Sequence, residues 1–135
     1  DLEKTKDLVN KYDLNSCVSF VGRSKDIEGF LKNTDLFLLP SESESFGLVA
    51  LEAMSFGVPV LTTNSGGVVE LVLDEKNGFT CDVGDVEDMS LKTIKLLSDS
   101  NLYADFSSAA YKTAKKYDVS NIIPLYESCY ISLIK

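Results

Sequence analysis

Short apolar runs alternate with segments of helical spacing over much of this chain, and that alternation constrains the fold more than any other feature. Four runs have the length and composition of buried parallel strands, and they occupy residues 17–21 (CVSFV), 35–39 (DLFLL), 58–61 (VPVL) and Gly78–Cys81 (GFTC). The connections between them are short, which favours parallel strands joined by right-handed crossovers. We therefore predict an α/β fold with a doubly wound parallel sheet and flanking helices.

Apolar residues at helical spacing predict the helices. The predicted segments cover residues 2–12, 27–31, 48–57, 67–73, 86–97, 102–116 and 120–135. We place Ser120 at the N-cap of the last one and Pro124 in its first turn, where the missing N–H is tolerated. The chain opens at Asp1 on a helix with no strand before it. We therefore expect a single domain, residues 1–135, that is truncated at its start and is part of a larger protein.

The composition restricts partners and chemistry. A formal net charge of −8 over 135 residues disfavours nucleic acid, because phosphate backbones are bound by clustered lysine and arginine. No apolar run approaches the ~20 residues of a membrane span. Histidine is absent, which excludes imidazole catalysis and histidine-bound zinc from this chain, and we predict neither metal nor cofactor. Three widely spaced cysteines, Cys17, Cys81 and Cys129, indicate a reducing, cytoplasmic setting.

The stretch 38–57 (LLPSESESFGLVALEAMSFG) is the most informative part of the chain. A strand ends at Leu39, and a polar loop leads into a helix that begins near Phe46 or Gly47. Ligands of open parallel sheets bind beyond the carboxyl ends of the strands, so a site is expected here. With Ser45 as the N-cap, the N–H groups of Phe46, Gly47 and Leu48 would form a row that binds anions or hydroxyls. Gly47 would let a ligand approach the backbone.

Two glutamates accompany this helix start. Glu44 lies in the loop, and Glu52 lies eight positions later among apolar neighbours. Burying that carboxylate is costly unless a partner satisfies it, and the vicinal hydroxyls of a ribose would donate two hydrogen bonds to it. Glu44 would contact a second polyhydroxy group. The alternative is that both are ordinary dipole partners near a helix N-terminus and that Glu52 points to water.

The pattern Glu44-Ser45-Phe46-Gly47 followed by Glu52 resembles the E-x-F-G-x4-E signature of the family-4 retaining glycosyltransferases. The continuation EAMSFGVPVLTTNSGGVVELV and the later NGFTCDVGDVEDM are similar to the same family, so the likeness runs from about residue 17 to residue 97. The resemblance implies a GT-B enzyme with two Rossmann-like domains facing a cleft, and this chain would be the C-terminal, donor-binding one.

The resemblance also implies roles for individual residues. Glu52 matches the glutamate that accepts hydrogen bonds from the nucleotide ribose, and Glu44 matches the catalytic glutamate beside the reacting face of the sugar. Gly22 and Arg23 match the loop against the base, although Arg23 is otherwise a plausible solvent-exposed arginine. The donor sugar and phosphates would contact Ser45, Phe46, Gly47 and Leu48. Gly66 and Gly67 match a family Gly-Gly pair, but Val69 replaces the usual proline, so we interpret them as structural.

Within the family, LLPSESESFGLVALEAMSFGVPV is similar to a branch that transfers N-acetylglucosamine from UDP-N-acetylglucosamine to L-malate in bacillithiol biosynthesis. That likeness implies a UDP-sugar donor, retained configuration and an acceptor bound mainly by an N-terminal domain outside this chain. The basic residues that neutralise the diphosphate would also lie upstream, so the chain alone is expected to be inactive. A family-4 enzyme of cell-wall or exopolysaccharide synthesis, an epimerase of similar architecture, and a noncatalytic flavodoxin-like signalling or interaction module remain alternatives.

The closing helices carry an apolar stripe that bears on assembly. Ile122, Tyr126, Cys129 and Leu133 recur at helical spacing. Left exposed in an isolated domain, such a stripe favours self-association. A homo-oligomer is therefore possible.

Overall fold

A computed structural model describes residues 2–134 of the chain. Its centre is a three-stranded parallel sheet in the order β1-β2-β3. The strands are β1 (Phe37–Leu39), β2 (Val60–Thr63) and β3 (Gly78–Cys81). The helices are α1 (Leu2–Lys11), α2 (Ile27–Leu31), α3 (Leu48–Ser55), α4 (Val86–Ser98), α5 (Ser100–Lys116) and α6 (Val119–Leu133), and a 3-10 helix covers Gly66–Glu70.

The parallel α/β sheet with flanking helices is confirmed. Leu38 pairs with Leu61, and Leu61 pairs in turn with Phe79, so β2 is the central strand of the described sheet. All four residues of β2 are buried. A strand covered on both faces need not alternate apolar with polar residues, which is why the run VPVL was recognisable in the sequence, although the strand begins and ends two residues later than the predicted 58–61.

The strand predicted at residues 17–21 is wrong. This segment forms turns and irregular backbone, and its large apolar side chains are exposed, Val21 to 56%. Its composition suits a strand, but a strand exists only where a neighbouring strand pairs with its backbone. Within residues 2–134, β1 lies at one edge of the sheet and pairs only with β2, so residues 17–21 have no strand partner.

Aspartates begin several of the helices. Asp26, Asp85, Asp99 and Asp118 each accept a backbone N–H of the following turn, as expected of N-cap residues. The predicted N-cap at Ser120 is wrong, because Asp118 fills that place two residues earlier and accepts the Ser120 N–H. The last helix therefore starts sooner than predicted, and Pro124 lies inside it, beyond the first turn.

Two apolar clusters form the core. The first packs α3 on the sheet and includes the fully buried Ala50, Ala53, Met54 and Val68. The second joins Leu61 and Phe79 to α4 and α5, and the Phe79 and Phe106 rings lie 5.0 Å apart between centroids. These clusters fix α3 and the strand ends, which position the site.

The last helix contributes little to this core. None of the described residues of α6 is buried, and Leu125, Tyr126 and Ile131 are each more than 60% exposed. Among residues 2–134 we find no helix with the length and apolar character needed to cross a bilayer.

Candidate functional site

Three loops meet at the edge of the sheet where the parallel strands end. Loop 1 (residues 40–47) follows β1, loop 2 (residues 64–67) follows β2, and loop 3 (residues 82–85) follows β3. The Asn64 N–H donates to the Cys81 carbonyl at 2.8 Å, and its side-chain amide donates to the carboxylate of Asp82. Loop 2 therefore lies between the other two and is bonded to loop 3.

Loop 1 is tied to β2 and loop 2 through its carbonyls. The Thr62 hydroxyl donates to the Leu39 carbonyl at 3.0 Å, and the Thr63 hydroxyl donates to the carbonyl of Ser41. The Gly67 N–H donates to the Glu44 carbonyl at 3.0 Å. The loop that carries Glu44 is thus held along its length by backbone and side-chain donors.

The contact between loops 1 and 2 is too close for side chains on the glycines. A Cβ on Gly66 would lie 1.7 Å from the Glu44 carbonyl oxygen, and one on Gly67 would lie 2.2 Å from that of Ser45. Gly66 also has a φ of 68°, which favours glycine. These contacts agree with the structural interpretation of the Gly-Gly pair and give its reason, a close backbone approach.

Helix α3 begins one residue after loop 1 ends. Gly47 is its N-cap, with a φ of 87° and no side-chain cap, so the predicted cap at Ser45 is wrong. The Leu51 N–H donates to the Gly47 carbonyl at 3.0 Å as the first intrahelical bond. The N–H groups without intrahelical partners are therefore those of Gly47, Leu48, Val49 and Ala50. Of the predicted row, Gly47 and Leu48 belong to it.

Phe46 is anchored by a residue that sequence reasoning missed. It is half-buried, and its ring lies edge-on to that of Tyr117, with centroids 5.8 Å apart and planes at 67°. Tyr117 caps the C-terminus of α5. Its position just past a predicted helix carried no signal that it would reach loop 1, because the contact is long-range.

Glu52 is exposed, so the predicted cost of burying it does not arise. Its apolar sequence neighbours Ala53 and Met54 turn into the core, whereas Leu48, Glu52 and Ser55 share the outer face of the helix. Glu52 points to water, as the alternative stated, and its contact with a ribose stays a prediction.

Two open pockets border Glu52, one on each side of α3. The larger, of about 290 Å³, is lined by Leu48, Leu51, Glu52, Ser55, Ala114, Tyr117 and Asp118. The second, of about 230 Å³, is lined by Ile27, Glu28, Leu31, Glu52, Ser55 and Phe56. Glu44 lines neither of them; its side chain is half-buried, and its backbone faces loop 2. The structure thus places the two glutamates at the start and on the outer face of one helix.

Within residues 2–134, Gly22 and Arg23 make no hydrogen bond to these loops. Both are exposed, and a Cβ on Gly22, where φ is 69°, would meet no atom within 4 Å. The hydrogen bonds described for residues 16–25 are local, such as Val18 N–H to the Leu14 carbonyl at 3.0 Å. Nothing in residues 2–134 joins this segment to Glu52 by a hydrogen bond.

A further pocket, of about 240 Å³, opens beside loops 1 and 3 and was not predicted. Its lining is Pro40, Glu42, Thr63, Asp82, Val83, Gly84, Asp85, Val86 and Met89. Two of its carboxylates have internal partners, since Asp82 accepts from Asn64 and Asp85 caps α4. It adjoins the carboxyl ends of all three strands, as the general position of ligand sites requires.

Nucleophilic chemistry by the buried cysteine is disfavoured. Burial, together with the neighbouring Asp88, raises the pKa of the Cys81 thiol to about 11. The thiolate is therefore scarce at neutral pH. No cluster of three metal-ligating side chains occurs among residues 2–134.

Comparison with known proteins agrees with this geometry. The family model for glycosyl transferases group 1 matches residues 1–113. The chain is 34% identical over 129 residues to N-acetyl-alpha-D-glucosaminyl L-malate synthase of Bacillus anthracis, covering 95% of this chain and 34% of that protein. It is 31% identical over 122 residues to the capsular polysaccharide biosynthesis glycosyltransferase CapM of Staphylococcus aureus, covering 90% of this chain and 32% of CapM.

A solved structure shares the fold closely. The crystal structure of Anabaena HepE in complex with UDP superposes with a TM-score of 0.92 at 28% identity, over 97% of this chain and 36% of HepE. The chain therefore spans about a third of the length of these relatives.

Proposed function

This chain belongs to the group 1 glycosyl transferases, and we propose that it forms the donor-binding domain of a larger, two-domain, retaining enzyme. Residues 1–135 would act as one unit that holds a UDP-sugar, while a domain outside this chain binds most of the acceptor. The predicted family, the GT-B type of fold and the class of enzyme are confirmed by the family match and the structural likeness to HepE. The family match also sets aside the noncatalytic signalling module.

The observation that supports the proposal is the position of loop 1, which hydrogen bonds hold at the carboxyl edge of the sheet. Glu44 and the start of α3, which has no side-chain cap, therefore lie where parallel sheets bind ligands. Free N–H groups and the helix dipole at that start favour the negative charge of a diphosphate. The likeness to a UDP complex of HepE supports the same ligand class.

Within this site we assign roles residue by residue. Glu44 is the catalytic glutamate beside the reacting face of the sugar, and Glu52 accepts hydrogen bonds from the ribose. The base lies against Gly22 and Arg23. The sugar and diphosphate contact the remaining predicted residues, Ser45, Phe46, Gly47 and Leu48. The pockets on both sides of Glu52 leave room for a nucleoside on either flank of α3.

We further propose UDP-N-acetylglucosamine as the donor and L-malate as the acceptor, in bacillithiol biosynthesis. The support is the 34% identity to the malate synthase of B. anthracis. The free cysteines Cys17 and Cys129, both exposed, suit a reducing compartment and thus the cytoplasm. We also expect the isolated chain to bind donor weakly and to transfer no sugar.

A second candidate is an enzyme of cell-wall or capsule synthesis. The 31% identity to CapM favours it to a similar degree, because the chain covers only about a third of either relative. Assaying the full-length enzyme with UDP-N-acetylglucosamine and malate, against other hydroxyl acceptors, separates the two.

The test of the donor site is titration of UDP into the wild-type protein and the Glu52→Ala variant. We expect affinity to fall roughly tenfold to a hundredfold, because one or two charge-assisted hydrogen bonds are lost. Stability should hardly change, since Glu52 is exposed. Glu127→Ala removes an exposed carboxylate from α6 and serves as the matched control. Equal affinities in all three proteins would remove the ribose role.

A further inference from the structure

We infer that Thr63 and Gly67 are positioning residues, which set the place of Glu44 by holding the carbonyls of loop 1. The inference rests on the proposed donor site and concerns residues to which that proposal gives no role. Thr63 is buried at the end of β2, with 2% of its surface exposed. Gly67 follows in loop 2. Neither residue needs to touch the ligand to act in this way.

Packing alone does not require hydroxyl groups on the side chains of β2. Every residue of β2 is buried, and valine would fill the same volume as threonine there without a polar atom to satisfy. Both Thr62 and Thr63 nevertheless carry a hydroxyl, and each donates it to a carbonyl at the end of β1 or just past it. Paired in this way, the hydroxyls cost nothing to bury and hold specific backbone atoms.

These bonds continue the sheet into loop 1. The last backbone pair between β1 and β2 is Leu39 with Thr62. Beyond it the ladder stops, and the Thr63 hydroxyl takes over at the Ser41 carbonyl, with the Ser65 hydroxyl 3.5 Å from the same oxygen. Three residues further on, the Gly67 N–H holds the Glu44 carbonyl at 3.0 Å.

The hydrogen bonds to the Ser41 and Glu44 carbonyls, which we call the clamp, hold one part of the proposed site and not the other. Loop 1 contains Glu44, which is proposed to lie beside the reacting face of the sugar, whereas the first N–H groups of α3, proposed to favour the diphosphate, belong to the helix. Glu52 is held by the same helix, whose other face is anchored in the core through Ala53 and Met54. Loosening the clamp should therefore weaken recognition of the sugar and leave recognition of the nucleotide unchanged.

Two variants of one residue test this. Thr63→Val keeps the shape and removes the donor, and Thr63→Ser keeps the donor and removes a methyl group. UDP, UDP-N-acetylglucosamine and UDP-glucose are titrated into the full-length enzyme carrying each change and followed by amide NMR, with thermal unfolding to confirm that the measurements are made on folded protein.

We expect Thr63→Val to lower affinity for the better-bound UDP-sugar about tenfold, the equivalent of one lost hydrogen bond to a charged partner, with affinity for UDP within twofold of wild type. The sugar-dependent shifts of the Phe46 and Gly47 amides should shrink, and Thr63→Ser should restore both. Equal loss for UDP and the UDP-sugar, or equal behaviour of the two variants, overturns the inference. If Thr63→Val does not fold, the same comparison is made between Thr63→Ala, which lacks the hydroxyl, and Thr63→Ser, which keeps it.

The outcome for the wild-type protein separates the two proposals. A wild type that binds neither UDP nor a UDP-sugar refutes the proposed function, and this inference with it. A wild type that binds the UDP-sugar, with Thr63→Val binding it equally well, refutes the clamp alone.

Discussion

Loop 1 and the open segment, which we define as residues 15–25, would contact two ends of the same ligand, yet they are built in opposite ways. Loop 1 is fixed at Ser41 and Glu44, and the strand end before it at Leu39, by donors from β2 and loop 2. The open segment bonds only locally among its described contacts, and its large apolar side chains such as Phe20 and Val21 are exposed. One region is pre-organised within this chain, and the other is not.

The difference indicates what must order each region when the ligand binds. Groups already held in place cost little further conformational entropy when a ligand binds, whereas a loosely held segment must be ordered at that moment. The sugar side of the proposed site should therefore be formed before binding, and the base side should be formed with the ligand or with further protein. The first two predictions that follow compare a residue at the contact between loops 1 and 2 or beneath it with a matched residue of the open segment, and the last compares two residues within the open segment.

The largest difference is expected between two glycines of similar φ. Gly66 (φ 68°) and Gly22 (φ 69°) both disfavour alanine through backbone strain, but only Gly66 lacks space, because its Cβ would lie 1.7 Å from the Glu44 carbonyl oxygen. Gly22→Ala should cost about 1–2 kcal/mol of unfolding free energy. Gly66→Ala should cost about 2–5 kcal/mol, because overpacking adds to the same strain. Denaturant unfolding measures both values, and equal costs would mean that loops 1 and 2 are not in contact.

A smaller contrast is expected between two valines. Val68 is fully buried beneath Gly47, where a Cβ on the glycine would lie 2.8 Å from its Cγ2 atom, whereas Val21 is 56% exposed. Val68→Ala should lower the unfolding free energy by about 2 kcal/mol, from two lost methyl groups and the cavity they leave. Val21→Ala should change it by no more than about 0.5 kcal/mol. A comparable loss at Val21 would show that the open segment is packed in solution.

The sequence was sufficient to predict the elements that depend on local pattern. The β3 bounds are as predicted, and α4 and α5 differ by one or two residues, because strand composition and helical periodicity are local properties. Residues 17–21 were mistaken for a strand because their composition suits one. A segment forms a strand only when another strand pairs with it, and such pairing depends on residues distant in the sequence. Ser120 failed as a cap for a smaller reason: Asp118 is an equally good cap two residues earlier.

The sequence indicated where the candidate site lies, but it did not indicate the contacts that hold the site together. Loop 1 and Gly47 were recognisable from the strand end, the polar run and the following helix. The contacts of Thr63, Gly67 and Tyr117 with loop 1 join residues more than twenty positions apart, so no spacing in the sequence announces them. Glu52 was misjudged because its sequence neighbours are apolar, although helix geometry turns those neighbours to another face.

The smallest expected effect concerns the proposed base contact of the open segment. Arg23 is exposed and belongs to a segment that has to be ordered on binding, so Arg23→Ala should weaken UDP affinity by no more than about fivefold. Lys25→Ala removes the same charge two residues away and controls for general electrostatic attraction, which both variants lose equally. Titration of UDP at low and high salt checks this, because a purely long-range effect disappears at high salt in both variants whereas a contact persists for Arg23 alone. If the two variants bind UDP alike at both salt concentrations, the Arg23 side chain makes no contact with the ligand.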